Sequence, residues 1–109
     1  MPVLYAPGHT MRLTSRGTAM SGLNGKVAVV TGGGSGVGKA TAALFRKGGA
    51  KVVIAGRDAA KLQAAADEIG GGPDLITVPT DVTSSAACHA LIAAAPAAFG
   101  RVDILVNNA

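Results

Sequence analysis

Aromatic residues and cysteines are scarce in this sequence of 109 residues, which has no Trp, one Tyr, two Phe and one Cys. Proteins that bind single-stranded nucleic acids stack bases on aromatic side chains, so a nucleic-acid-binding module is not expected. Cys88 has no partner for an internal disulfide, and the two histidines offer no ligand spacing for a metal site. No uninterrupted apolar run reaches the length of about 18 residues that a membrane-spanning helix needs, so none is expected.

Acidic residues are fewer than basic ones, six against ten, and the net charge is +4. The basic residues are scattered, which is typical of an ordinary protein surface and is compatible with an anionic cofactor. Residues 1–21 are expected to be a tail outside the domain, either disordered or an extension upstream of a start at Met20. This tail has arginines and no acid, as transit peptides do, but lacks the apolar core of a secretory signal. A cytoplasmic location is expected, with mitochondrial targeting as the alternative.

Four short runs rich in Val, Ile and Leu predict strands near residues 26–31, 51–55, 75–78 and 102–107. Three segments of helical periodicity lie between them. The first ends near Gly48 and Gly49, Asp58 is a good N-cap for the second, and Thr83 or Ser84 can cap the third. The positions expected to face the sheet are Val37, Ala40, Thr41 and Leu44 in the first helix, Leu62, Ala66 and Ile69 in the second, and Cys88, Leu91, Ile92, Ala95 and Phe99 in the third.

This alternation of strands and helices predicts an α/β fold with a doubly wound parallel sheet. Only part of such a fold is encoded here, with four strands in the expected order 3-2-1-4 and three helices. The fourth predicted strand would then lie at an open edge of the sheet. Residues 22–109 are expected to form this part of a domain.

A glycine-rich turn, TGGGSGVG at residues 31–38, follows the first predicted strand and opens the first helix. Glycines allow a tight turn and a close approach to a pyrophosphate, which the N–H groups and partial positive charge of the helix N-terminus attract. The spacing differs from both G-x-G-x-x-G and the G-x-x-x-x-G-K-[ST] of P-loop proteins. What is present is T-G-x-x-x-G-x-G.

Over residues 22–109 the sequence resembles the short-chain dehydrogenase/reductase family. Four motifs at compatible spacing carry the resemblance: this turn, Gly56-Arg57 after the second predicted strand, Asp81-Val82 after the third, and residues 103–109, DILVNNA, at the fourth. The resemblance implies a Rossmann-like fold in which the turn holds the cofactor pyrophosphate. It also implies that Asp81 contacts the adenine amino group, or alternatively only caps the following helix. Asn108 would line the cofactor, although a purely structural role for Asn107 or Asn108 remains open.

The residues expected to bind a dinucleotide cofactor are Gly32, Gly34, Ser35, Gly36, Val37, Gly38, Arg57, Asp81, Val82 and Asn108. NADP is favoured over NAD, because the position after the second strand, where NAD-binding sheets place an acid, is Gly56 and is followed by Arg57. A guanidinium there can bind the 2′-phosphate, although Arg57 could also be an ordinary surface residue near Asp58. Ser35 stands where many NADP-dependent relatives have a basic residue, which weighs against NADP.

The family's catalytic Ser and its Tyr-x-x-x-Lys pair lie beyond the matching region, and the one tyrosine, Tyr5, has no Lys four residues later. We therefore expect no catalytic residues here. The chain is expected to be the NADP(H)-binding portion of an oxidoreductase that transfers hydride between nicotinamide and an alcohol or carbonyl, and to be inactive alone. A small-molecule substrate and homo-oligomerisation belong to the complete enzyme. The alternatives are a catalytically inactive nucleotide-binding or interaction protein, and an unrelated α/β binding domain.

Overall fold

The computed structural model describes residues 3–5, 23–34, 36–81 and 83–107, which form one five-stranded sheet with helices on both faces. The elements in chain order are β1 (Val3–Tyr5), β2 (Val27–Thr31), α1 (Gly36–Lys47), β3 (Lys51–Gly56), α2 (Ala59–Ile69), β4 (Leu75–Pro79), α3 (Ser85–Phe99) and β5 (Ile104–Asn107). The strand order across the sheet is β1-β5-β2-β3-β4.

The four parallel strands confirm the predicted doubly wound topology. Strands β4, β3, β2 and β5 lie side by side, which is the order 3-2-1-4 expected from the sequence. The register aligns Val29 of β2 with Val53 of β3 and with Leu105 of β5. Each of the four strands overlaps the apolar run that predicted it.

The expectation that the fourth predicted strand lies at an open edge is wrong. Strand β1 pairs antiparallel with β5, so that Val3, Leu4 and Tyr5 stand opposite Asn107, Val106 and Leu105. An unpaired strand edge leaves a row of N–H and C=O groups without partners, and the N-terminal segment supplies those partners here. The remaining residues of the predicted tail, apart from Val3–Tyr5, lie outside the described residues, so the boundary at residues 21 and 22 stays a prediction.

Two apolar clusters, one on each face of the sheet, form the core. On the face covered by α1 and α2 the buried residues are Leu23, Ala28, Val30, Ala42, Phe45, Ala50, Val52, Ile54, Leu62, Ala65, Ala66, Leu75, Ile104 and Val106. On the face covered by α3 they are Val27, Val29, Val53, Ala55, Leu91 and Ala95. Because successive strand residues point to opposite faces, a strand that is apolar at every position serves both clusters.

The buried face of α1 differs from the one predicted. Its buried residues are Gly38, Thr41, Ala42 and Phe45, so Thr41 is buried as predicted, whereas Val37 is 52% exposed and Leu44 is 38% exposed. Both sets have helical spacing, and they differ by a rotation of about 100°, one residue. The structure buries the set that contains the large Phe45 ring and places Gly38 toward the sheet, where the lack of a side chain permits close packing. In α3, Leu91 and Ala95 are buried as predicted, whereas Ile92 is 41% exposed.

The predicted helix ends agree with the structure. The Oδ1 atom of Asp58 accepts hydrogen bonds from the backbone N–H groups of Ala60 (3.0 Å) and Lys61 (3.2 Å), and Ser84 is the N-cap of α3. After α1, Gly49 adopts a φ of +95°, which provides the left-handed stop expected of the paired glycines.

Asp103, the first residue of the DILVNNA motif, lies at the amino end of β5 and holds that strand to β2. Its carboxylate accepts a hydrogen bond from the backbone N–H of Val27 (2.9 Å) and two from Arg101 (2.6 and 3.0 Å), while its own N–H donates to the Val27 carbonyl (2.8 Å). Burial raises the pKa of Asp103, but these hydrogen bonds and the charges of Arg101 and Lys26 outweigh it, and the pKa lies below its ordinary value.

Candidate cofactor-binding site

The strand order reverses between β2 and β5: β3 and β4 are added on one side of β2, and β5 is added on the other. Helices α1 and α2, which lead away from β2 toward β4, cover one face, and α3, which leads back to β5, covers the other. At such a point the loops after neighbouring strands separate and leave a crevice outside the carboxyl ends of the strands, where open α/β sheets bind ligands. Strand β2 ends at Thr31 and β5 at Asn107, so the glycine turn and Asn107 border this crevice.

The glycine turn is held tightly against β3. The N–H of Gly33 donates to the carbonyl of Ala55 at 3.0 Å, and a Cβ on Gly33 would lie 2.6 Å from the Cβ of Ile54. Gly32 and Gly36 have φ angles of +67° and +60°, a region that side chains disfavour. Three glycines of the turn are therefore required by the backbone itself, two for its conformation and one for space.

Helix α1 begins at Gly36 and points its N-terminus at the crevice. Its first turn has no acidic residue that would neutralise the partial positive charge of the helix end. The first N–H groups of a helix have no partner within it, and a Cβ on Gly36 would meet no atom within 4 Å. This open, electropositive end fits the anionic pyrophosphate of a dinucleotide. Ser35, which was also predicted to bind, lies outside the described residues.

Arg57 follows β3 at the same edge of the sheet, and its side chain is exposed. The neighbouring Asp58 does not pair with it, because its carboxylate caps α2. Across the part of the chain that the structure describes, the ion pairs are Lys39–Glu68 and Arg101–Asp103, and neither involves Arg57. Arg57 is thus an exposed residue near Asp58, as the alternative has it, and its guanidinium makes no ion pair with any described residue.

Asp81 follows β4 and is exposed next to this arginine. Its Oδ1 atom accepts hydrogen bonds from the hydroxyl (2.6 Å) and the N–H (3.0 Å) of Thr83. These two bonds, with the charge of Arg57, hold the pKa of Asp81 below its ordinary value, although desolvation opposes them slightly. Asp81 is thus an ionised acceptor at neutral pH, and it also orders the turn before Ser84, the actual helix cap. Val82 lies outside the described residues.

The ends of the strands are fastened to one another by polar contacts. The hydroxyl of Thr31, at the end of β2, lies 3.1 Å from the Oδ1 atom of Asn107 and 3.3 Å from the Val106 carbonyl of β5. The N–H of Thr80 donates to the carbonyl of Gly56 at 2.7 Å and joins β4 to β3. The side chain of Asn107 thus helps to join β5 to β2, while Asn108 lies outside the described residues.

The structure therefore brings together the predicted binding residues that it describes: Gly32, Gly34, Gly36, Val37, Gly38, Arg57 and Asp81 lie in the segments that follow β2, β3 and β4 at one end of the sheet. Beside these residues the structure places Gly33, which is confined by Ile54, and Lys61, whose Cβ would lie 3.4 Å from a Cβ on Gly34; neither was among the predicted binding residues. Three consecutive glycines were a signal for Gly33. No local signal indicated Lys61, because its proximity to the turn depends on how α2 packs.

A cavity of about 390 Å³ lies between the C-terminal ends of α1 and α2, at the other end of the sheet, and touches none of the predicted binding residues; it is lined by Ala43, Arg46, Lys47, Ile69, Gly70 and Gly71. Within residues 3–5, 23–34, 36–81 and 83–107, no helix is long and apolar enough to cross a membrane. In that same part of the chain, no three His, Cys, Asp or Glu side chains cluster as metal ligands would.

Comparison with known proteins identifies the family. The family model for short chain dehydrogenases matches residues 26–109. An uncharacterized oxidoreductase of Staphylococcus aureus strain USA300 is 48% identical over 90 residues, which are 83% of this chain and 38% of that protein. A protein of Staphylococcus haemolyticus, also called an uncharacterized oxidoreductase, is 47% identical over the same shares of the two chains. The chain belongs to the short-chain dehydrogenase/reductase family, and it spans about two fifths of the length of these relatives.

Solved structures agree with this assignment. A short chain dehydrogenase from Bacillus anthracis superposes with a TM-score of 0.74 at 44% identity, over 83% of this chain and 36% of that one. A 3-ketoacyl-(acyl-carrier-protein) reductase from Brucella melitensis, complexed with NADH, superposes with a TM-score of 0.68 at 46% identity, over 73% of this chain and 32% of that one. The C-domain of a bacterial malonyl-CoA reductase, with NADP, superposes with a TM-score of 0.71 at 31% identity, over 77% of this chain and 14% of that one. The second and third of these structures thus each contain a nicotinamide dinucleotide.

Proposed function

We propose that these residues are the NADP(H)-binding portion of an oxidoreductase that, in its complete form, transfers hydride between nicotinamide and an alcohol or carbonyl. When bound, the nicotinamide cofactor supplies the hydride chemistry. The residues of this chain bind and orient the other half of the cofactor. A small-molecule substrate, a homo-oligomeric assembly and a cytoplasmic location are part of the same proposal.

The helix end and the glycine turn bind the pyrophosphate in this proposal. The N–H groups at Gly36, Val37 and Gly38 face it, while Gly32 and Gly34 keep the turn free of side chains. Asp81 accepts a hydrogen bond from the adenine amino group through Oδ2, because its Oδ1 atom is occupied by Thr83. Ser35, Val82 and Asn108 complete the site on the strength of the family motifs.

The observation that carries the choice of NADP is the exposed Arg57, which forms no ion pair with any described residue and follows a glycine at the end of β3. In NAD-binding sheets an acid at the end of this strand accepts hydrogen bonds from the ribose hydroxyls. Here Gly56 presents no carboxylate to repel a 2′-phosphate, and the guanidinium beside it can bind that group in a fork.

The test is titration calorimetry with NADP and NAD. Arg57→Ala is expected to weaken NADP binding about tenfold to a hundredfold and to leave NAD binding nearly unchanged, because a charge-assisted hydrogen bond contributes about 1.5–3 kcal/mol. Gly56→Asp should reverse the preference. A Cβ at Gly56 would lie 3.4 Å from Leu62 Cδ2, which is ordinary contact, so this variant is expected to fold.

Lys47→Ala is the matched control, because it removes one exposed positive charge at the opposite end of the sheet. It should leave both affinities unchanged. Equal losses of NADP and NAD affinity in Arg57→Ala would contradict the assignment of Arg57 to the 2′-phosphate.

A second candidate for these 109 residues is a nucleotide-binding protein without catalysis. The residue four positions after Tyr5, the only tyrosine, is His9, so no Tyr-x-x-x-Lys pair is present in them. Both candidates use the same binding site, so calorimetry supports either. Turnover of a carbonyl substrate by the complete protein separates them, because neither candidate predicts turnover by these 109 residues alone.

A further inference from the structure

We propose that Lys61, in the first turn of α2, is a second cationic residue for the 2′-phosphate of NADP(H), and that it supplies the positive charge that the glycine turn lacks at Ser35. This inference rests on the proposed function, because it concerns the same phosphate as Arg57. It adds a residue that none of the four family motifs in the sequence contains.

Packing of α2 against the glycine turn places Lys61 beside the site. A Cβ on Gly34 would lie 3.4 Å from the Cβ of Lys61 and 3.7 Å from the backbone nitrogen of Leu62. Leu62 is buried in the core, which fixes the rotation of the helix and leaves Lys61 exposed at its side. The Cβ of Lys61 therefore lies next to the glycine turn. Lys61 also follows Arg57 by only four residues, so both cations stand near the ends of β2 and β3.

The ammonium of Lys61 is not engaged elsewhere. It makes no hydrogen bond or ion pair with any residue that the structure describes. Asp58 is the acid nearest to Lys61 in the sequence. Its carboxylate accepts a hydrogen bond from the backbone N–H of Lys61 and so caps the helix. Lys39, which follows the glycine turn directly, is bound instead to Glu68 at 2.7 Å. Of these two lysines near the turn, only Lys61 is available to an anion.

The chemistry of the two cations is complementary. A guanidinium binds two phosphate oxygens in a fixed fork, while an ammonium on a flexible stem acts as a mobile point charge that reaches a remaining oxygen. Asp81 stands beside Arg57 and offsets part of its charge. A second cation therefore restores a net positive environment for a dianionic phosphate.

The experiment measures the affinity of the chain for adenosine 2′,5′-bisphosphate and for adenosine 5′-monophosphate, two probes that differ only in the 2′-phosphate. Lys61→Gln is expected to weaken binding of the bisphosphate about fivefold to tenfold and to leave the monophosphate unchanged. Lys61→Arg should retain most of the affinity. Lys39→Gln, which removes an equal charge near the turn, should change neither probe. Raising the salt concentration should reduce the effect of Lys61→Gln.

The outcomes separate this inference from the proposed function. If Arg57→Ala selectively weakens the bisphosphate while Lys61→Gln matches the unsubstituted chain, the inference on Lys61 is wrong and the NADP site stands. Equal weakening of both probes by Lys61→Gln would also overturn it, because the effect would then not depend on the 2′-phosphate. If the unsubstituted chain binds both probes equally, the NADP proposal fails and Lys61 fails with it.

Discussion

Replacing Gly33 by alanine tests how tightly the glycine turn is packed on the sheet. The added Cβ would lie 2.6 Å from Ile54 Cβ, 2.9 Å from its Cγ2 and 3.4 Å from its Cα. Ile54 is completely buried in β3, so it has little room to retreat. Trimming residue 54 does not relieve the closest contact, because every residue except glycine has a Cβ. The turn must therefore move away from β3 and stretch the hydrogen bond from Gly33 to Ala55.

Overpacking of this kind costs about 1–3 kcal/mol. With a urea m-value of about 1–3 kcal/mol/M for a small domain, the unfolding midpoint of Gly33→Ala should fall by about 1 M. Gly34→Ala is the matched control, because its Cβ would meet only an ordinary contact at 3.4 Å and the residue has no positive φ. Its midpoint should remain within about 0.3 M of the unsubstituted chain, since surface substitutions usually stay within about 0.5 kcal/mol.

Urea denaturation followed by circular dichroism gives both midpoints. Binding of adenosine 5′-monophosphate to Gly33→Ala, measured where the variant is still folded, should also weaken, because the displaced turn no longer presents the start of α1 in the same position. Equal midpoints for the two alanine variants would show that the turn can shift without cost and would refute the argument from packing.

Three further predictions follow from the same structure. Because the pKa of Asp103 is lowered in the folded state, its contribution to stability is present above the unfolded pKa of about 4 and is lost as the pH falls through the folded pKa. Asp103→Asn should therefore reduce the difference in unfolding free energy between pH 7 and pH 3, and an unchanged difference would contradict this. Leu4→Pro with Tyr5→Pro removes whichever N–H of β1 faces β5, and hydrogen exchange across β5 should become about twofold to tenfold faster, since one hydrogen bond contributes about 0.5–1.5 kcal/mol. Valine at both positions is the control, and unchanged protection of β5 would show that β1 does not cover it. The 109 residues alone should catalyse no NADPH oxidation with a panel of carbonyl substrates, because a positioned acid or base typically contributes about 10²–10⁴-fold and no family Tyr-x-x-x-Lys is present in them; reproducible protein-dependent oxidation would be evidence against this.

Secondary structure and fold class were predictable because both depend on short-range patterns. Runs of β-branched residues such as residues 27–30 favour a strand. Asp58 starts α2 because its side chain accepts hydrogen bonds from backbone N–H groups of the first turn, and Gly49 stops α1 through its positive φ. The alternation of strands and helices then leaves few topologies, since parallel crossovers are almost always right-handed. The motif residues that follow β2, β3 and β4 share one end of the sheet because these strands are parallel.

Where two local patterns compete, only the tertiary structure decides. Helix α1 has two sets of apolar residues at helical spacing, and the choice between Leu44 and Phe45 depends on the shape of the surface opposite. The edge of β5 is another example, because the pairing of Leu4 with Val106 joins residues at opposite ends of the chain. No local pattern indicates such a contact.

The sequence by itself thus determined the four parallel strands, the three helices, their order and the glycine turn, because each depends on residues close together in the chain. The tertiary structure decided which face of α1 is buried, what covers β5 and which charged groups stand beside the turn. Thr31 and Asn107 meet across 76 positions, and Lys61 reaches Gly34 only because Leu62 fixes the rotation of α2. Such contacts exist only when the helices have packed on the sheet, since burial of their apolar faces sets the final positions of the polar side chains.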